Sequence, residues 1–185
     1  MKKIIILLFI ITSFNSFSQE FEVKDWHINT ALGFSVGYLT ENTTSSNIHG
    51  FLGLLFKDKI ELRGDSYYFL GNSGHRPRFS KNHQIFAGAF YHFRDQKFQP
   101  YLGFQPGIAI SQSSEFGTLN SSTGEVEYQT TINPMMSFAG GFTLYAQKWF
   151  LIFAEIRQNF GKHKSNSYPV YLDEFRFSFG FGFTF

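Results

Sequence analysis

From Glu174 to Phe185 every second residue is Phe: positions 175, 177, 179, 181, 183 and 185 carry it, and Glu174, Arg176, Ser178, Gly180, Gly182 and Thr184 lie between. Side chains alternate across a strand, so this run predicts a strand with one aromatic face and one polar or small face. A helix would scatter the same rings around its circumference. In water such a face is an aggregation hazard. Against lipid it is stable, with the polar face turned into a barrel.

The alternation recurs seven more times, with more noise. The expected strands are Trp26–Leu39, Ile48–Phe56, Ile60–Leu70, His83–Phe93, Pro100–Gln112, Ile132–Ala146 and Trp149–Phe160. Leu32, Phe34, Leu62, Tyr91, Phe104, Phe138 and Ile156 fall on outward faces, whereas Ser35, Glu61, Asp65, Gln105, Glu155 and Arg157 fall on inward ones. In the second strand Phe51 and Leu55 would point inward. Strands of this length suit a tilted crossing of about 9–11 residues. Three expected connections are short (57–59, 94–99 and 147–148) and four are long (40–47, 71–82, 113–131 and 161–173). That alternation matches short periplasmic turns and longer outer loops. A soluble lipocalin-like barrel would place its apolar face inside, the reverse of the pattern here. The expected fold class is all-β: an eight-stranded antiparallel up-and-down transmembrane β-barrel.

The start of the chain reads as a secretory leader. Lys2 and Lys3 precede the apolar run Ile4–Ile11, and Ser16 and Ser18 give a small-x-small site, so cleavage is expected after Ser18. The run is far shorter than the roughly 20 apolar residues of a membrane-spanning helix. Residues 1–18 are thus assigned as signal peptide and 19–185 as the barrel domain, with the cell outer membrane as the expected location. Removing Lys2 and Lys3 takes away the whole formal charge of +2 and leaves 14 basic against 14 acidic residues. Nothing in that balance points to nucleic acid. The chain has no Cys, which excludes disulfides and a cysteine-linked lipid anchor.

The pattern from residue 26 to 185 resembles the OmpA/OmpX-like family of small outer-membrane barrels. Phe181-Gly182-Phe183-Thr184-Phe185 resembles the C-terminal assembly signal of that class, and Pro100-Tyr101-Leu102-Gly103-Phe104 resembles its Tyr/Gly-rich central strands. The resemblance implies outer-membrane lipid, lipopolysaccharide and the barrel-assembly machinery as partners, in a monomer without cofactor. It implies no particular external partner and no single activity, because the class hosts many functions.

Three constellations stand out. By strand parity Glu61, Arg63, Asp65, Glu155, Arg157, Glu174 and Arg176 point inward, where paired charges would fill a barrel of this size rather than leave a pore. Arg76, Arg78 and Lys81, with Lys162, His163 and Lys164, would place positive charge at the outer rim, suited to lipopolysaccharide phosphate. Finally, His163-Lys164-Ser165-Asn166 resembles the His-x-Ser-Asn motif of lipid A deacylases. That resemblance implies Ser165 as nucleophile, His163 as base, and Asp173 or Glu174 as the orienting acid. The strand context of the deacylases is missing, and parity turns both His163 and Ser165 inward, so a non-enzymatic barrel is the first reading and an acyl-ester hydrolase the second. A narrow channel is the third. His75 and His83 have no carboxylate or Cys nearby to complete a metal set. The loop 113–131 offers the largest surface for an outside partner.

If this reading holds, the mature chain fractionates with outer membranes and runs faster on gels unheated than heated, because a closed barrel resists detergent until boiled. Recovery as a soluble periplasmic protein contradicts it.

Overall fold

The computed structural model describes residues 26–39, 43–74, 79–93, 97–115, 117–164 and 169–185. The expected leader lies outside them. The strands are β1 (Trp26–Leu39), β2 (Thr43–Phe56), β3 (Ile60–Ser73), β4 (Phe79–His92), β5 (Phe98–Ser113), β6 (Thr118–Leu119), β7 (Val126–Glu127), β8 (Thr130–Gln147), β9 (Phe150–His163), β10 (Val170–Tyr171) and β11 (Glu174–Thr184). Eight of them form a ring in the order β1-β2-β3-β4-β5-β8-β9-β11, each antiparallel to its neighbours. The ring closes where β11 returns to β1, in a ladder running from Asn29↔Thr184 to Leu39↔Glu174.

The two faces of the wall are opposite in character. Leu32, Leu62, Leu102, Phe138, Ile156 and the rings of Phe175 to Phe183 are exposed on the outside, while Arg63, Asp65, Glu155, Arg157, Glu174 and Arg176 are buried inside. Phe51 and Leu55 are buried inside as well. No helix among the described residues is long and apolar enough to cross a membrane, which says nothing against a crossing made of strands.

Several boundaries move from their expected places. β2 begins at Thr43 rather than Ile48, and it pairs with β1 throughout, Thr44 opposite Tyr38. The first long connection is therefore only residues 40–42, as short as the turns at the other end. Thr43, Ser45 and Asn47 face inward and Thr44 and Ser46 outward. With both faces polar, the segment carries no alternation to read, yet the polar lumen accepts it as strand. β3 and β4 likewise extend, to Ser73 and from Phe79, and β9 runs on to His163. In β4 a register shift between Phe79 and Lys81 switches the inward set from Phe79 to Asn82, Gln84 and Phe86, the local twist of a bulge. The loop 113–131 holds a small hairpin, β6–β7, with Thr118 opposite Glu127 and Leu119 opposite Val126.

At one end of the barrel the β2–β3 turn is a tight reversal in which Lys59 N donates to Phe56 O at 3.0 Å. Lys57 and Asp58 both take positive φ, 48° and 54°. Two-residue hairpin turns of this hand need positive φ at both positions and favour Asn, Asp or Gly. The strain is accepted with the Asp58 carboxylate buried beneath the barrel, 3.1 Å from His27 Nε2. At the other end Leu39, Phe69, Phe79, Met135, Val170 and Leu172 form a buried apolar cluster. Leu172 is held there because its N–H donates to Gly161 O at 3.0 Å, while Asp173 Oδ1 accepts from Gly161 N at 3.0 Å.

Inside the wall, large side chains lie across glycines of the adjacent strand. The Phe90 ring sits over Gly103, where an added Cβ would come within 2.2 Å of Phe90 Cδ1, and the Glu174 carboxylate lies over Gly37. Gly103→Val is expected to lower unfolding stability in lipid vesicles by about 1–3 kcal/mol through overpacking, read from the urea midpoint. An unchanged midpoint would show that Phe90 is free to move aside.

Candidate functional site: the charged lumen

β3 and β9 supply the centre of the site because each places charged residues at successive inward positions: Glu61, Arg63 and Asp65 on one, Glu155 and Arg157 on the other. Glu155 is the hub. It receives a bond from Arg63 Nη2, bonds from Arg157 Nε at 3.0 Å and Nη2 at 2.9 Å, and the hydroxyls of Tyr67 at 3.3 Å and Tyr101 at 3.1 Å. Asp65 accepts from Arg63 Nε at 3.0 Å and Gln105 Nε2 at 2.6 Å, and lies 2.7 Å from His49 Nε2. Arg157 Nη1 also donates to Gln105 Oε1 at 2.5 Å and Ser137 Oγ at 3.0 Å. The Arg63 guanidinium is packed 3.8 Å over Phe90 and 4.5 Å over Phe51. These buried charges thus meet the condition for tolerating them, pairing plus hydrogen bonding of the remaining atoms.

A second pair sits nearer the loop end. Arg176 donates to Glu174 and lies 4.1 Å over Tyr67. Ser45 Oγ and, at 3.3 Å, Gln84 Nε2 also donate to Glu174. Arg157 and Arg176 are register partners, both inward as parity leads one to expect. A third group lies toward the turn end: Glu61 is 3.1 Å from His92 Nε2 and accepts from Asn29 Nδ2 at 3.4 Å. Sequence reasoning omitted His27, His49, His92, Tyr67 and Tyr101 from this set. Their parity was readable, but nothing in parity says which inward residues meet across the barrel.

His49, Asp65 and Glu155 bring ligand atoms within 4.8 Å of one another, close enough to surround a metal ion. The same two carboxylates already hold Arg63 and Arg157, so a cation there would meet two guanidinium charges. The chemistry of the set is that of an internal ion-pair network.

The rim and the hydrolase motif come out differently. Lys81, Lys162 and Lys164 are exposed, with Lys162 Nζ 4.7 Å over the Tyr171 ring. Arg76, Arg78 and Ser165 lie outside the described residues. His163 is not part of the basic rim: it is buried, and its Nδ1 lies 2.8 Å from Ser111 Oγ and 3.0 Å from Thr131 Oγ1. Nor does Glu174 stand beside it. Glu174 pairs with Asn159, whereas His163 pairs with Val170. Four residues of strand, roughly 13 Å, separate the two levels. β10 takes the place next to His163 that the motif reading gave to the start of β11. His83 faces outward and its Nδ1 accepts the Phe69 N–H at 3.2 Å. Phe181 and Phe183 are exposed on the outer face, and Phe185 continues the ladder through N–H and C=O bonds with Ile28 at 2.9 and 3.1 Å.

Removing the hub leaves two buried arginines short of their partner. Glu155→Ala is expected to cost about 3–5 kcal/mol of unfolding free energy. The same urea titration in vesicles checks it, and a loss below the effect of Gly103→Val would show that the network is not a main source of stability.

No protein-family model matches this sequence, and no curated protein matches it. Solved structures do. OprG from Pseudomonas aeruginosa superimposes with a TM-score of 0.64 at 13% identity, over 88% of this chain and 97% of that one. The N-terminal barrel of Pseudomonas aeruginosa OprF gives 0.56 at 16%, over 89% and 100%. Neisserial surface protein A gives 0.56 at 13%, over 87% and 96%. The chain therefore has the fold of the small eight-stranded outer-membrane barrels.

Proposed function

We propose that the protein is a non-enzymatic barrel of the outer membrane, closed to flow, that acts in envelope integrity or surface interaction. One observation carries the reading: an apolar wall exposed on the outside encloses a charged interior that is fully paired at its centre. Such a wall is stable only with lipid around it. The loop end then faces outward and the turn end, with Trp26 and Phe185, faces the periplasm.

Three layers occupy the lumen in series. The Leu172 cluster caps the loop end, the Arg63–Glu155–Arg157 network fills the centre, and Asp58 with His27 closes the turn end. An eight-stranded barrel is just wide enough for side chains to fill. Envelope contact fits the rim, where the exposed Lys81, Lys162 and Lys164 would meet lipopolysaccharide phosphates. In the hydrolase reading both candidate acids have other partners: Glu174 is committed to Arg176, Ser45 and Gln84 well below His163, and Asp173 accepts from the Gly161 N–H.

Two measurements test the proposal. In planar bilayers the purified barrel is expected to pass no steady current; large, stable openings would overturn the closed lumen. Lipid A incubated with it is expected to keep all its acyl chains; loss of one chain, abolished by Ser165→Ala, would restore the hydrolase.

A further inference from the structure

The β6–β7 hairpin is ordered and two-faced. Asn120 N donates to Glu125 O and Gly124 N to Asn120 O, both at 2.8 Å, and Gly124 takes the positive φ of 72° that the turn needs. Asn120 Nδ2 donates to Glu127 Oε1 at 2.6 Å, and Gln112 Nε2 ties the base by donating to Tyr128 O at 2.7 Å. Leu119 and Val126 are a direct cross-strand pair and so share a face. Tyr128 belongs to that face too, because a Cβ on Gly117 would meet both Val126 Cγ1 and the Tyr128 ring. The other face carries Thr118, Glu127 and Asn120. Leu119 is 70% exposed and Val126 50%, so the apolar face of the hairpin has no cover among the described residues.

Its position says what covers it. β7 is joined to β8 by only two residues, Tyr128 and Gln129, and Ile132 near the start of β8 is an outward residue of the wall, 67% exposed. The apolar face of the hairpin thus stands within two residues of chain from the outward wall of β8. Charge agrees. Residues 113–131 contain no Lys or Arg, and their acids are Glu115, Glu125 and Glu127. Glu127 stands on the face opposite Leu119 and Val126, so laying the apolar face on the membrane turns that carboxylate away from the anionic headgroups. Tyr128 at the base is a residue type favoured at such an interface.

We infer that the β6–β7 hairpin lies on the outer leaflet as a membrane-contacting paddle, with Leu119, Val126 and Tyr128 against lipid and Glu127 toward the medium. The inference rests on the outer-membrane reading above.

The chain has no Cys, so single-Cys variants label at one place. Leu119→Cys, Val126→Cys and Glu127→Cys, with Phe138→Cys in the wall as control, would each carry bimane in phosphatidylcholine vesicles. One quencher is a nitroxide high on the acyl chain and the other is aqueous iodide. Heat-modifiable mobility shows that each variant is folded. The labels at 119 and 126 are expected to lose emission to the lipid nitroxide and resist iodide, and the label at 127 to do the reverse. Quenching of 119 and 126 by iodide alone would overturn the paddle and leave the face for a soluble partner. Resistance to both quenchers would overturn it in favour of a hairpin folded over the barrel mouth. A Phe138 label untouched by the lipid nitroxide would instead refute the membrane barrel itself.

Discussion

Lipid supplies no hydrogen-bond partner, so within a bilayer every backbone N–H and C=O must find one in the chain. A sheet meets that demand only by having no edge. Here the demand falls on the β1–β11 ladder, which joins the first and last barrel strands across the whole sequence separation. The composition of β11 follows from this position. Its outward residues are Phe without exception, and its inward residues are small or charged. Across the seam Phe34 meets Phe179 edge-on with ring centroids 6.4 Å apart, and Gly33 faces Gly180.

Closing the ring creates the second problem, an interior that must be filled. The chain fills it with ion pairs where a soluble barrel would use apolar side chains. Charges are costly to bury singly and tolerable when paired, and the geometry shows how the cost is offset here. Two arginines share one carboxylate, Glu155, and a second carboxylate, Asp65, braces both. Aromatic faces from Phe51 and Phe90 cover the Arg63 guanidinium, and Tyr67 covers that of Arg176. Glycines such as Gly103 make room for the rings. The polar interior and the apolar exterior are thus one pattern, set residue by residue by strand parity.

How much of this the sequence discloses depends on how strongly each face is marked. β11 and β9 are legible because their outward residues are aromatic or aliphatic and their inward ones are charged. The start of β2 is not, because Thr43 to Asn47 are polar on both faces. The charged lumen residues are legible one by one through parity. Their partners are not: Arg63 reaching Glu155 is a contact across the barrel, fixed by stagger and rotamer rather than by spacing in the chain. The same limit explains His163. Its inward direction follows from parity, but its neighbours Ser111 and Thr131 come from β5 and the rim of β8, and the turn of chain that puts β10 rather than Glu174 beside it leaves no periodic trace.

The central claim is the inversion of the wall, and proton contacts to lipid report on it directly. In a nuclear Overhauser experiment on the labelled barrel in lipid nanodiscs, the rings of Phe177, Phe179 and Phe181 should show cross-peaks to acyl-chain protons, while Arg157 and Glu155 show none. Acyl-chain contacts at Arg157 or Glu155, or water contacts along the row of Phe rings, would contradict it.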